Sequence, residues 1–110
     1  MLKKVKRRYL ALSIDSQESF SSEEFINAVW LAVQKLFGEC GASQTGLRLI
    51  DYDAGSKLAV IRVFHVAVEQ VRAALAAITE IGRKPAAVHV ITVSGTLKAL
   101  YSRINSSRKG

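Results

Sequence analysis

From residue 7 the chain alternates: Leu10, Leu12 and Ile14 fall on one side and Tyr9, Ala11 and Ser13 on the other, the period-2 signature of a half-buried strand over Arg7 to Asp15. The period then changes. Phe20-Ser21-Ser22-Glu23-Glu24-Phe25 offers a serine cap, a glutamate three residues on and two flanking phenylalanines, a capping box with a hydrophobic staple that starts a helix. Phe25, Ile26, Val29, Trp30, Val33, Leu36 and Phe37 recur at helical spacing up to Gly38, which predicts the stop. After a loop from Gly38 to Gly46, Leu47 to Tyr52 and Leu58 to Phe64 read as strands joined by the turn Asp53-Ala54-Gly55-Ser56. Val68, Val71, Leu75 and Ile78 predict a second helix ending near Gly82. Pro85 precedes a fourth strand over Ala86 to Val93, and Leu97, Leu100, Tyr101 and Ile104 predict a one-sided terminal helix.

This order predicts an α/β fold of the α+β sandwich class: a ferredoxin-like, RRM-like βαββαβ antiparallel sheet in the order 4-1-3-2, its two main helices on one face, with an extra C-terminal helix. A length of 110 residues suits a single domain, with basic flexible ends expected at about 1–5 and 105–110. Hydrophobic residues at 49% and charged residues at 23% fit a folded domain. The longest apolar runs, Ala28 to Val33 and Ala73 to Ile78, are six residues each, so no segment predicts a membrane span. With no secretory pattern at the N-terminus, a cytoplasmic location is expected. The single cysteine, Cys40, closes no intrachain disulfide and is expected to be a partly buried filler.

Charge adds a functional clue once it is divided along the chain. Residues 1–8 hold Lys3, Lys4, Lys6, Arg7 and Arg8, residues 98–110 hold Lys98, Arg103, Arg108 and Lys109, and neither end carries an acid. The stretch between them holds seven basic residues against all nine acids, so the net +7 is terminal. Strand order 4-1-3-2 sets the end of strand four beside the start of strand one, which turns two basic tails into one patch suited to a polyanion. Ser94-Gly95-Thr96 opens the last helix, where free N–H groups can hold a phosphate or merely cap the helix. Tyr9 either stacks on a ligand or packs under the terminal helix. Leu58 to Phe64 lacks the aromatic-rich signature of RNA-recognition motifs, so base stacking across the sheet is not the expected contact.

Lys6-Arg7-Arg8-Tyr9-Leu10, Leu36-Phe37-Gly38-Glu39, Leu49-Ile50-Asp51-Tyr52-Asp53, the run from Arg62 to Leu75 and Val93-Ser94-Gly95-Thr96-Leu97-Lys98 occur in an order that resembles the archaeal ribonuclease P protein component 2 family, shared with the eukaryotic ribonuclease P and MRP complexes. The likeness covers roughly residues 4–104. It implies an RNA-binding subunit that, with a TIM-barrel ribonuclease P protein, supports the catalytic RNA in removing the 5′ leader from precursor tRNA. No cofactor is implied in the protein itself, and Mg²⁺ is expected with the RNA. Homodimer and heterotetramer assemblies both stay open. The RNA-binding residues expected are Lys3, Lys4, Lys6, Arg7, Arg8, Tyr9, Ser94, Gly95, Thr96, Lys98 and Arg103, although Leu100-Tyr101-Ser102-Arg103 is less basic than the family pattern suggests. The breadth of the first helix's apolar stripe assigns Phe25, Ile26, Val29, Trp30, Val33 and Phe37 to a partner interface.

Two other classes compete. A metal-dependent ferredoxin-like endonuclease would draw on Asp15, Asp51 and Asp53, but strands one and two are separated by strand three, which sets their ends roughly 9–10 Å apart. A single Mg²⁺, with ligands at ~2.1 Å, does not bridge that gap directly, which leaves water-mediated or dimeric arrangements open. His65 and His89 have no carboxylate or cysteine at ligand spacing, so neither a catalytic set nor a metal site is predicted. A protein-interaction domain without nucleic acid is the third class, favoured by the broad stripe alone.

Overall fold

A computed structural model describes residues 6–109, with side chains described through residue 105. β1 (Arg7–Asp15), β2 (Arg48–Asp53), β3 (Leu58–Phe64) and a later strand, β6 (Ala87–Ser94), form an antiparallel sheet in the order β2-β3-β1-β6. This is the predicted topology, ferredoxin-like, with β6 as the fourth strand. Its helices are α1 (Ser22–Ser43), α2 (Val68–Ala76) and α3 (Leu97–Lys109).

Strand parity divides the sheet into two unequal faces. Leu10, Leu12, Ile14, Ala59, Ile61, Val63 and Val88 are buried against α1 and α2 in the main core. On the other face α3 covers a smaller cluster, in which Ala11 and Val60 meet Leu100 and Ile104, with Tyr9, Ile50, Leu58 and Leu97 around them. Bulges in both edge strands preserve this division. Ile50 is the extra residue of β2, so Leu49 and Tyr52 both reach the main core; Ile91 plays the same part in β6 for Val90 and Val93.

Ser21 caps α1 as the sequence predicts, its Oγ accepting from the Glu24 N–H at 3.1 Å while Glu24 Oε1 accepts from the Ser21 N–H at 3.0 Å. Gly38, at φ +75°, does interrupt the helix. The expected loop does not follow, because residues 39–43 wind a further helical turn that buries Ala42. Thr45, fully buried, fixes the exit: its Oγ1 donates to the Ala42 carbonyl at 2.7 Å and accepts from the Leu47 N–H at 3.3 Å. Gly46 follows at φ +67°, where an added Cβ would lie 2.7 Å from the Phe64 ring. Gly46→Ala is therefore expected to lower stability by roughly 1–3 kcal/mol. An unchanged denaturation midpoint would show that the Phe64 ring yields freely.

The second helix is shorter than its periodicity predicts. After a single 3-10 turn over His65–Ala67, α2 ends at Ala76, and β4 (Glu80–Ile81) and β5 (Lys84–Pro85) form a small hairpin. Gly82 and Arg83, at φ +56° and +70°, make its two-residue turn. Ile78, just past the helix end, and Ile81, in β4, stay buried, so apolar spacing persists after the helix has stopped. Cys40 is exposed, which corrects the expectation of a partly buried filler.

Candidate nucleic-acid interface

The start of β1, the ends of β3 and β6, and the start of β2 lie at one end of the sheet. Arg7 pairs with Phe64, and Tyr9 pairs with Arg62 on one side and Ser94 on the other. Arg62 in turn faces Arg48 across β2. The His65 N–H donates to the Lys6 carbonyl at 2.8 Å and holds the chain entering β1 against the end of β3. Lys6, Arg7 and Arg48 are exposed. The other end of the sheet, about 26 Å along β1 at roughly 3.3 Å per residue, carries Asp15 and Asp53. Lys57 lies there as well, its Nζ donating to the Ser16 carbonyl, and so does Lys84 of the neighbouring hairpin, whose Nζ sits over the Phe20 ring. Within the four strands the carboxylates Asp15, Asp51 and Asp53 thus lie toward this end, and Arg7, Arg8, Arg48 and Arg62 toward the other.

The β6–α3 connection joins the cationic end directly. An added Cβ on Gly95 would lie 3.5 Å from Arg8 Nη1, which also donates to the Arg7 carbonyl at 3.0 Å. Ser94 Oγ accepts from the Thr96 N–H at 3.4 Å, and Thr96 Oγ1 accepts from the Ala99 N–H at 3.2 Å. Both hydroxyls are therefore engaged in shaping the turn and capping α3, which leaves Gly95 and the helix start exposed beside Arg8. Lys98 points to solvent from the first turn of α3. Arg103 is anchored through Nη1 to the Val93 carbonyl at 2.8 Å. From there α3 runs toward the β2–β3 turn, where Tyr101 Oη donates to Asp51 Oδ2 at 3.0 Å. Burial first, then its hydrogen bond to Asp51 and that carboxylate's charge, push the Tyr101 phenol above its ordinary pKa.

Most of the sequence-predicted residues come together here. Lys6, Arg7, Arg8, Ser94, Gly95, Thr96 and Lys98 share one end of the sheet, and Arg103 reaches it along α3. Tyr9 packs beside the α3 cluster, half-buried, and supports the helix instead of presenting an open ring. Lys3 and Lys4 lie outside the described residues, as do the expected flexible end at 1–5 and the side chains of Arg108 and Lys109. Arg48 and Arg62 were not foreseen, because summing charge by chain segment places them in the acidic middle. The available signal was parity: Arg62 sits between the core residues Ile61 and Val63, so it leaves the sheet on the opposite face.

The expected partner stripe of α1 needs correction. Phe25, Val29 and Val33 are fully buried in the core, and Ile26, Trp30 and Phe37 are half-buried against it. The apolar side chains that α1 exposes are Leu31 at 64% and Leu36 at 50%, which line a groove with Ala28, Lys35, Ile78 and Arg83. His89 Nε2 lies 3.9 Å from Asp15 Oδ2, an exposed cross-strand pair that linear spacing does not reveal. Among the described residues, no three His, Cys, Asp or Glu side chains group as metal ligands. No described helix is long and apolar enough to cross a membrane.

Ribonuclease P protein component 2 of Methanosarcina mazei is 36% identical over 95 residues, covering 86% of this chain and 80% of that protein. Its counterpart in Pyrococcus furiosus is 32% identical over 101 residues, covering 92% and 84%. A chain in the cryo-EM structure of yeast ribonuclease MRP shares the fold, with a TM-score of 0.71 at 16% identity over 99% of this chain and 98% of that one. The model of the Rpp14/Pop5 family matches residues 8–105, from β1 into α3. A match over that whole span, with relatives similar across most of both lengths, places the chain in the Rpp14/Pop5 family of ribonuclease P and MRP protein subunits.

Proposed function

We propose that this chain is a ribonuclease P protein subunit that binds the catalytic RNA through the cationic end of its sheet and so supports removal of the 5′ leader from precursor tRNA. The observation that carries the reading is the convergence of Lys6, Arg7 and Arg8 with the start of α3, and the placement of Asp15 and Asp53 at the far end. A cationic surface of this kind neutralises phosphates and releases counterions, which stabilises folded RNA and eases its need for Mg²⁺. The chemistry then belongs to the RNA with its bound Mg²⁺, and the protein shapes that RNA. The groove bearing Leu31 and Leu36 is the surface offered to the TIM-barrel subunit.

Binding to an archaeal ribonuclease P RNA transcript, measured against salt, tests the reading. If about four to six basic groups engage phosphates, the log–log slope is expected at about −3 to −5. Binding that ignores salt would overturn it. Rigorously RNA-free protein is expected to leave precursor tRNA intact. Metal-dependent cleavage by that protein, abolished by Asp15→Asn, would move the chemistry into the polypeptide and establish the endonuclease reading.

A further inference from the structure

Arg62 leaves the sheet on the α3 face, half-buried, and its Nε is buried without a hydrogen-bond partner. Directly opposite it, on β2, is Arg48. Directly opposed residues on neighbouring strands hold their Cβ atoms about 4.5–5.5 Å apart, and like charges there repel. A buried donor without an acceptor adds a desolvation cost. Among the described residues, no carboxylate lies within salt-bridge distance of either arginine. An anion held between the two guanidiniums removes the repulsion between them and meets the N–H groups that they turn outward.

We propose that Arg62 and Arg48 form a seat for one backbone phosphate of the bound RNA, on the face of the sheet and apart from the terminal arms, an assignment that rests on the RNA-binding reading above. A phosphate fits better than a protein carboxylate because the seat is one step in a line of cations. Arg7, with the strand parity of Tyr9, follows one cross-strand pair further on, opposite Phe64. A polyanion occupies successive positions along such a line, whereas an isolated carboxylate occupies one. Tyr9, on the other side of Arg62, is held in the α3 packing, so the seat grips backbone and leaves bases unread. The α3 helix leaves Arg48 open by covering Ala11 and Val60 on its way to the β2–β3 turn.

The test is binding of the ribonuclease P RNA transcript across a salt series by the full chain and by Arg48→Gln, Arg62→Gln and the double variant. Each single change is expected to weaken binding about fivefold to twentyfold and to make the salt slope shallower by about one unit. The double change is expected to weaken it by less than the product of the two, because both side chains hold the same phosphate. Arg48 is exposed, so Arg48→Gln carries the test if Arg62→Gln fails to fold. Wild-type affinity and slope in Arg48→Gln and Arg62→Gln, alongside tight salt-sensitive binding by the unaltered chain, would overturn the seat and leave the RNA-binding reading standing; the arginine pair would then serve a protein carboxylate. Losses that multiply in full would also overturn it, since they mean two separate contacts. Salt-insensitive binding by the unaltered chain would overturn the RNA-binding reading, and the seat with it.

Discussion

Replacing Lys6, Arg7 and Arg8 together by glutamine is expected to collapse the salt dependence of RNA binding. With a slope near −4, the unaltered chain should lose roughly 250-fold in affinity between 50 and 200 mM salt, whereas a slope near −1.5 leaves the triple variant losing roughly eightfold. The difference is large because Arg7 and Arg8 open β1 opposite Phe64 and Val63 of β3, and the His65 N–H holds Lys6 against the end of β3, so the three charges gather at one end of the sheet. Lys98→Gln and Arg103→Gln should weaken the same binding, since Ser94 pairs with Tyr9 and the turn after it lies against Arg8. Lys35 and Arg72, exposed on the helices of the other face, are the controls. If their neutralisation weakens binding as much as the terminal changes do, the charge acts as a diffuse field and the patch is no site.

The meeting of the start of β1 with the end of β6 was legible because it depends on topology and not on detail. Alternation in β1, the helix signals after it and the hairpin of β2 and β3 suffice to order the strands, and strand order alone brings residues 6–8 near the start of α3. What stayed hidden depends on faces and local geometry. Arg48 and Arg62 disappear when charge is counted by segment, yet their parity against Leu47, Leu49, Ile61 and Val63 puts them on the α3 side. The bulges at Ile50 and Ile91 break strict alternation without any glycine or proline to mark them. Such insertions are settled by how each edge strand meets its neighbour, which is a tertiary matter.

The stripe of α1 was misread for a related reason. Seven apolar residues over four turns exceed what one sheet covers, and a partner was the inferred cover. The structure covers α1 on two sides, with Phe25, Val29 and Val33 inside the core and α2 packed alongside. Tyr52 adds a further lid: its ring lies 5.5 Å from that of Phe25, and its Oη donates to the Phe20 carbonyl at 2.7 Å. Only Leu31 and Leu36 then remain well outside. Helical spacing gives the width of an apolar face, but the number of neighbours that share it comes from the fold.

Leu100→Ala tests whether α3 is a separable unit of the cationic surface. Leu100 is fully buried at the centre of the small cluster with Ala11, Val60 and Ile104. Truncating a buried leucine costs about 2–5 kcal/mol. Here the loss should fall on docking of the helix and not on the sheet, because the main core lies on the other face and shares none of these four residues. Beside the packing of Ile104 and Leu97, the polar tethers, Tyr101 to Asp51 and Arg103 to the Val93 carbonyl, are exposed hydrogen bonds worth about 0.5–1.5 kcal/mol each at most. Amide exchange across α3 is therefore expected to quicken by roughly 30-fold or more, while the amides of β1 and β3 keep their protection. RNA affinity should fall with it, since Lys98 and Arg103 are no longer held beside Arg8, yet the salt slope should change less than in the triple arginine–lysine variant. Equal loss of protection in α3 and the sheet would make the two faces one cooperative unit, and unaltered exchange in α3 would show that its polar tethers, and not Leu100, hold it to the sheet.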